Sequence, residues 1–244
     1  MAIQPKEAQM SQSVVQKYFT DRRRLLALAG GAAALLPTVG NVFASDHNLH
    51  IAATKRSTEE KDRRTFKRSQ TAAALRDLWL GHIFWVRNVS VAVIDKNDLA
   101  MKAAEQQAVA NAQSIADSIE PFYGVAAKNE FFKLLVGHYG AVKAYLQATA
   151  SGDSSAQDVA TQSLSANADK IAAFLSKANP YLPEDTLRGL LLAHGGHHIQ
   201  QIQQLKDRQY QAEANTWEDM KDHIYQIADA TAVALAKQFD KRFS

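Results

Sequence analysis

The chain of 244 residues contains no cysteine. That absence excludes a disulfide framework and thiolate chemistry, so any metal must be held by nitrogen and oxygen ligands. Prolines number five and glycines eleven, and no proline falls inside a segment with helical patterning. No apolar–polar alternation of strand length occurs either, and the two scarcities together predict an all-α fold. Charge of one sign is also lacking. The net +3 lies in residues 1–44, where Lys6, Lys17, Arg22, Arg23 and Arg24 face only Glu7 and Asp21. Subtracting these leaves residues 45–244 with 23 basic and 23 acidic side chains, which offers no basic surface for nucleic acid.

Several catalytic signatures are missing. No Glu-x-x-His pair of the di-iron bundles, no His-Glu-x-x-His, no phosphate loop, no dinucleotide fingerprint and no Gly-x-Ser-x-Gly turn is present. No positioned general base is visible, so the chain reads more readily as a binding protein than as an enzyme.

The longest apolar run, Leu25 to Leu36, has about a dozen residues, where a membrane span needs about 20. It follows Arg22-Arg23-Arg24 and precedes Pro37, Gly40 and Val42-Phe43-Ala44. A charged region, a short apolar core and a small-x-small end describe a secretory leader cut after Ala44. The paired arginines and the Gly/Ala-rich core resemble a twin-arginine signal, although Asp21 stands where Ser or Thr is usual. The resemblance implies the twin-arginine export machinery as a partner, a periplasmic location, and membrane contact only through residues 1–44. Cleavage there exposes Ser45-Asp46-His47, a terminus able to wrap Cu(II) or Ni(II) in four nitrogens. Residues 45–68, rich in both charges, read as a polar tether.

What is abundant is internal repetition. Leu78-Trp79-Leu80-Gly81-His82, Leu134-Leu135-Val136-Gly137-His138 and Leu190-Leu191-Leu192-Ala193-His194 recur at intervals of 56 residues. The same offset places Asn111 on Asn167 and on His223. Each unit contains two helix-patterned segments around a polar turn, an antiparallel helical hairpin. Three hairpins, at about 69–124, 125–180 and 181–236, predict a six-helix bundle over residues 69–244. The helices are expected at about Ser69–Ile94, Asp98–Ile119, Asn129–Ala150, Ser155–Lys177, Glu184–Leu205 and from Thr216 onward, with Pro121 ending the second.

Depth follows from the turns. With Lys96, Gly152 and Arg208 as equivalent turn positions, each first-arm histidine lies 14 residues before the turn and each second-arm Asn or His 15 after it. Both arms then reach about 21 Å from the turn at 1.5 Å per residue. His82, Asn111, His138, Asn167, His194 and His223 are therefore expected in one layer. Bundle interiors commonly hold metals on facing helices, and neutral imidazole suits Cu, Zn, Ni and Fe. The expected ligands are His82, His138, His194 and His223. His198, four residues beyond His194 on the same face, is the first additional candidate, with Asn111 and Asn167 accepting the other ring N–H. Gly195 and Gly196 inside that helix imply a close helix approach or room for a ligand.

Leu78-Trp79-x-x-His82-x-x-Trp85-x-Arg87 resembles an element of a mostly uncharacterised family of small helical bacterial proteins. The Tyr123-Gly124 turn, the stretch from Asn167 to Leu175, Asn179-Pro180 and Gln238-Phe239 share the likeness. The resemblance implies the helical fold and no particular activity. Three readings of the layer stand side by side: a metal carrier, store or sensor; a mononuclear metal enzyme, such as an oxygen-handling iron enzyme; and a metal-free interaction module whose Asn/His network fixes helix register.

Overall fold

The computed structural model describes residues 46–244, with side chains from residue 56 onward. The expected leader and Ser45 lie outside the described residues, as do the side chains of Asp46 and His47. Among the described residues the structure is all-helical: α1 Asp46–Ile94, α2 Asp98–Ser151, α3 Ser154–Ala178, α4 Glu184–Lys206, α5 Tyr210–Gln238 and a closing 3₁₀ turn, Asp240–Arg242. None of these helices is long and apolar enough to cross a membrane. The described residues form two compact units, 68–240 and, separately, 46–67 with Lys241–Ser244. In the smaller one the Arg64 guanidinium donates to Ser244 Oγ at 3.0 Å.

Two expected central helices form one element here. α2 continues through Pro121 and breaks only at Gly124, where φ is 82° and ψ is 174°. Proline removes a single helical donor and kinks more readily than it terminates. Glycine supplies the left-handed φ that completes the kink. α2 starts at Asp98 as expected, and Asn97 caps it by accepting from the Ala100 amide at 3.0 Å. Asp153 caps α3 in the same way at 2.9 Å. α5 begins at Tyr210, six residues before Thr216, because no proline or glycine interrupts that stretch.

The connections after α1, α2 and α4 each contain a left-handed residue: Lys96 at φ 56°, Gly152 at 75° and Arg208 at 57°. These are the three positions aligned from the sequence. Before them, the helices that lead into the turns bury a stripe at spacings of three and four: Leu75, Trp79, His82, Val86 and Val89 on α1, and Leu187, Leu191, His194, His198, Ile202 and Leu205 on α4. On the turn side of the histidines, Val86, Val89, Val142, Tyr145, Leu146, Leu164 and Ile202 form one apolar cluster.

At the other end, Tyr123, Asn179, Gln238 and Phe239 come together. Asn179, 1 % exposed, donates to the Tyr123 hydroxyl at 3.0 Å, and that hydroxyl donates to Gln238 Oε1 at 2.7 Å. Gln238 then donates to the Ala178 carbonyl at 2.9 Å, and Phe239 packs edge-on against Tyr123. The chain of bonds ties the kink in α2 to the ends of α3 and α5.

Glycines mark where helices touch. A Cβ on Gly81 would sit 2.7 Å from Asn111 Nδ2, and one on Gly137 3.0 Å from Asn167 Nδ2. A Cβ on Gly195 would sit 3.1 Å from Leu164, so that glycine serves close packing, while Gly196 meets nothing within 4 Å and the structure offers no account of it. Gly140 also faces open space. Gly81→Ala is therefore expected to lower stability by about 1–2 kcal/mol through overpacking and a lost hydrogen bond. Gly140→Ala should raise it by up to about 1 kcal/mol. Urea unfolding of the two variants checks the opposite signs.

A candidate metal centre of four buried histidines

His82 on α1, His138 on the second arm of α2, and His194 and His198 on α4 converge. One ring nitrogen from each lies within 4.8 Å of those from the other three. His194 Nε2 is 3.1 Å from His198 Nε2 and 3.3 Å from His82 Nε2. The His138 ring stacks on His194 at 5.4 Å between centroids, and its Nε2 is buried without a hydrogen-bond partner. His194 Nδ1 is likewise unpartnered. Nitrogens about 2.0–2.1 Å from a tetrahedral ion are separated by roughly 3.3–3.4 Å, so two edges of such a polyhedron are close to their final length.

Burial sets the protonation state. The four rings are 5, 5, 1 and 1 % exposed in chain order. Desolvation, with neighbouring His138 adding to it, pushes the His82 imidazolium down to about 3. Desolvation alone takes His138 to about 4. His194 and His198 are lowered well below the usual range by burial first and by the other rings second. All four are neutral at pH 7, the form that ligates metals. No carboxylate belongs to the group.

Of the four histidines expected in one layer, His82, His138 and His194 converge and His223 stays apart, while His198, the first additional candidate, joins them. His223 is half-buried and directs its Nε2–H to the Leu190 carbonyl at 2.8 Å. Asn111 donates to Leu78 O at 3.0 Å and Asn167 to Leu134 O at 3.1 Å, each across the same 33 residues. The second-arm residues thus reach the expected height, but they turn to the edge of their own hairpin and brace the backbone one turn before each histidine. Their expected role as acceptors for ligand N–H groups is corrected too, since Oδ1 of Asn111 and of Asn167 has no partner.

The fourth imidazole is His198. Its counterparts 56 and 112 residues earlier are Val142 and Val86, both in the apolar cluster. A histidine at a position that is elsewhere valine was the available signal. Trp79 packs edge-on against His82 at 6.1 Å.

Five residues after His82, Arg87 grips Glu213 with Nε and Nη2 at 2.6 and 2.7 Å, and Gln201 donates to the same carboxylate at 2.8 Å. Glu213 is 2 % exposed. Glu213 stands in the polar stretch before the expected start of the last helix at Thr216, where no apolar period marks a buried carboxylate. Bidentate geometry and a third bond make this a fully paired carboxylate. Removing the arginine strands it, so Arg87→Ala is expected to destabilise the fold by about 3 kcal/mol in chemical unfolding.

Fold and site define a helical protein with an enclosed cluster of four neutral imidazoles. No protein-family model, curated protein or solved structure matches the chain.

Proposed function

We propose that this protein binds one transition-metal ion, Cu, Zn, Ni or Fe, through His82, His138, His194 and His198, and serves as an exported periplasmic carrier, store or sensor. The observation that carries the reading is the set of four buried, neutral ring nitrogens within 4.8 Å of one another. A purely structural network is the weaker account, because it leaves His138 Nε2 buried and unpaired. Four nitrogens with no carboxylate in the group, among the described residues, also favour holding over catalysis, since four ligands fill a tetrahedral ion and catalytic metals keep a position open.

The architecture we infer is a hairpin written three times. Left-handed turns at Lys96, Gly152 and Arg208, and three side-chain bonds spanning 33 residues each, support it. Export rests on the leader pattern of residues 1–44. The family likeness of Leu78–Arg87 is part of the same proposal and adds no activity to it.

Elemental analysis of the protein purified from the periplasm, beside His138→Ala, tests the reading. About one equivalent in the wild type and a large loss in the variant are expected; equal metal content in both would remove His138 from the site. The mass of the purified chain, expected to begin at Ser45, tests the leader.

A further inference from the structure

The four ligands are sealed from solvent, so an ion that arrives hydrated needs donors that exchange its water in stages. One further pair of imidazoles lies on α4, which carries two of the four, and on the following helix α5. The His197 and His223 rings, on α4 and α5, stand 5.3 Å apart between centroids, and both residues are half-buried. His197 adjoins His198 in the chain, and the carbonyl that His223 grips belongs to Leu190, one turn before His194.

The bond to Leu190 settles the tautomer of His223. In the neutral ring Nε2 carries the hydrogen and Nδ1 keeps its lone pair. An imidazole with one N–H on a backbone carbonyl and the other nitrogen unprotonated is the usual state of a metal-ligating histidine. The structural bond alone does not require an imidazole, because Asn111 and Asn167 make the equivalent bond with an amide. At the position of His197 the other hairpins have Trp85 and Ala141. Exposed Asp219, one turn before His223 on α5, acts electrostatically on the His197 ring and adds negative charge beside the pair.

We infer that His197 and His223 form a solvent-facing two-nitrogen site that captures a transition-metal cation and delivers it to the buried histidines, an inference that rests on the metal reading above.

The test is the rate at which metal-free full chain takes up Co²⁺, followed by the visible absorption of the enclosed ion after rapid mixing. The variants are His197→Gln and the double variant Ala193→Gly/His223→Asn. The second recreates the Gly81–Asn111 and Gly137–Asn167 pairs, so the carbonyl bond survives while the imidazole goes. Loading about tenfold slower than wild type, with the same final absorption, is expected. Unchanged rates would overturn the capture pair and leave the buried site standing. A reduced final absorption at an unchanged rate would show that the pair supports the buried site instead, and would also overturn it. A wild-type chain that develops no absorption would remove both the inference and the reading beneath it.

Discussion

Replacing His194 by leucine is expected to leave a folded protein that no longer retains its metal. His194 is the hub of the cluster, with its Nε2 in contact with those of His82 and His198. If four ligands share roughly 10–16 kcal/mol of binding, losing one removes about 3 kcal/mol, or a hundredfold or more in affinity. The effect on the metal-free protein is small. Leucine fills a similar space and eliminates Nδ1, which is buried without a partner, but it also takes the contact from His82 Nε2 and His198 Nε2. Metal-free His194→Leu should therefore stay within about 1 kcal/mol of the wild type. Thermal unfolding with and without metal separates the two effects, because saturating ion at about a thousand times the dissociation constant adds about 4 kcal/mol to the wild type only. A register network predicts the reverse: leucine would destabilise the metal-free fold and metal would change nothing.

Acid should unfold the metal-free protein well before ordinary carboxylates titrate. The folded state holds His82 down at about 3 and His138 at about 4, while in the unfolded chain both titrate near 6.5. Below pH 6.5 the unfolded chain therefore binds protons that the folded one refuses. Stability is complete above that value and falls as the pH drops toward 4. At pH 5 each of these two residues removes about 2 kcal/mol, at about 1.4 kcal/mol per pH unit. His194 and His198, lowered for the same reason, act in the same direction. The combined loss is comparable with the whole stability of a typical domain, about 5–15 kcal/mol. Urea unfolding at pH 7 and pH 5 measures it, and His138→Leu should flatten the dependence by roughly a quarter. A wild type equally stable at both pH values would mean that the rings are hydrated in solution.

Much of this was legible in the sequence, for a reason that also explains the errors. A helix rises by a fixed amount per residue, so counting from Lys96, Gly152 and Arg208 fixed the height of His82, His138 and His194, and these do converge. Height is not direction. His223 shares the level, but a second-arm residue there leans on the carbonyl of its own hairpin partner, which rotational phase within one helix does not reveal. His198 was legible as the residue four beyond His194 on the same face, and the contrast with Val86 and Val142 would have ranked it above His223. The carboxylate of Glu213 was beyond reach, since the start of α5 lacks any capping signal and its partner Arg87 lies 126 residues away. Pro121 misled for a local reason: the helix runs through it and leaves helical φ/ψ only at Gly124, three residues later.

The most direct test of the central claim is X-ray absorption at the edge of the bound metal in the loaded full chain. Four nitrogens at about 2.0 Å, with the outer-shell scattering of imidazole rings, are expected in the wild type, and three in His198→Ala. A shell of oxygens without imidazole scattering, or a spectrum that His198→Ala leaves unchanged, would contradict a metal held by His82, His138, His194 and His198.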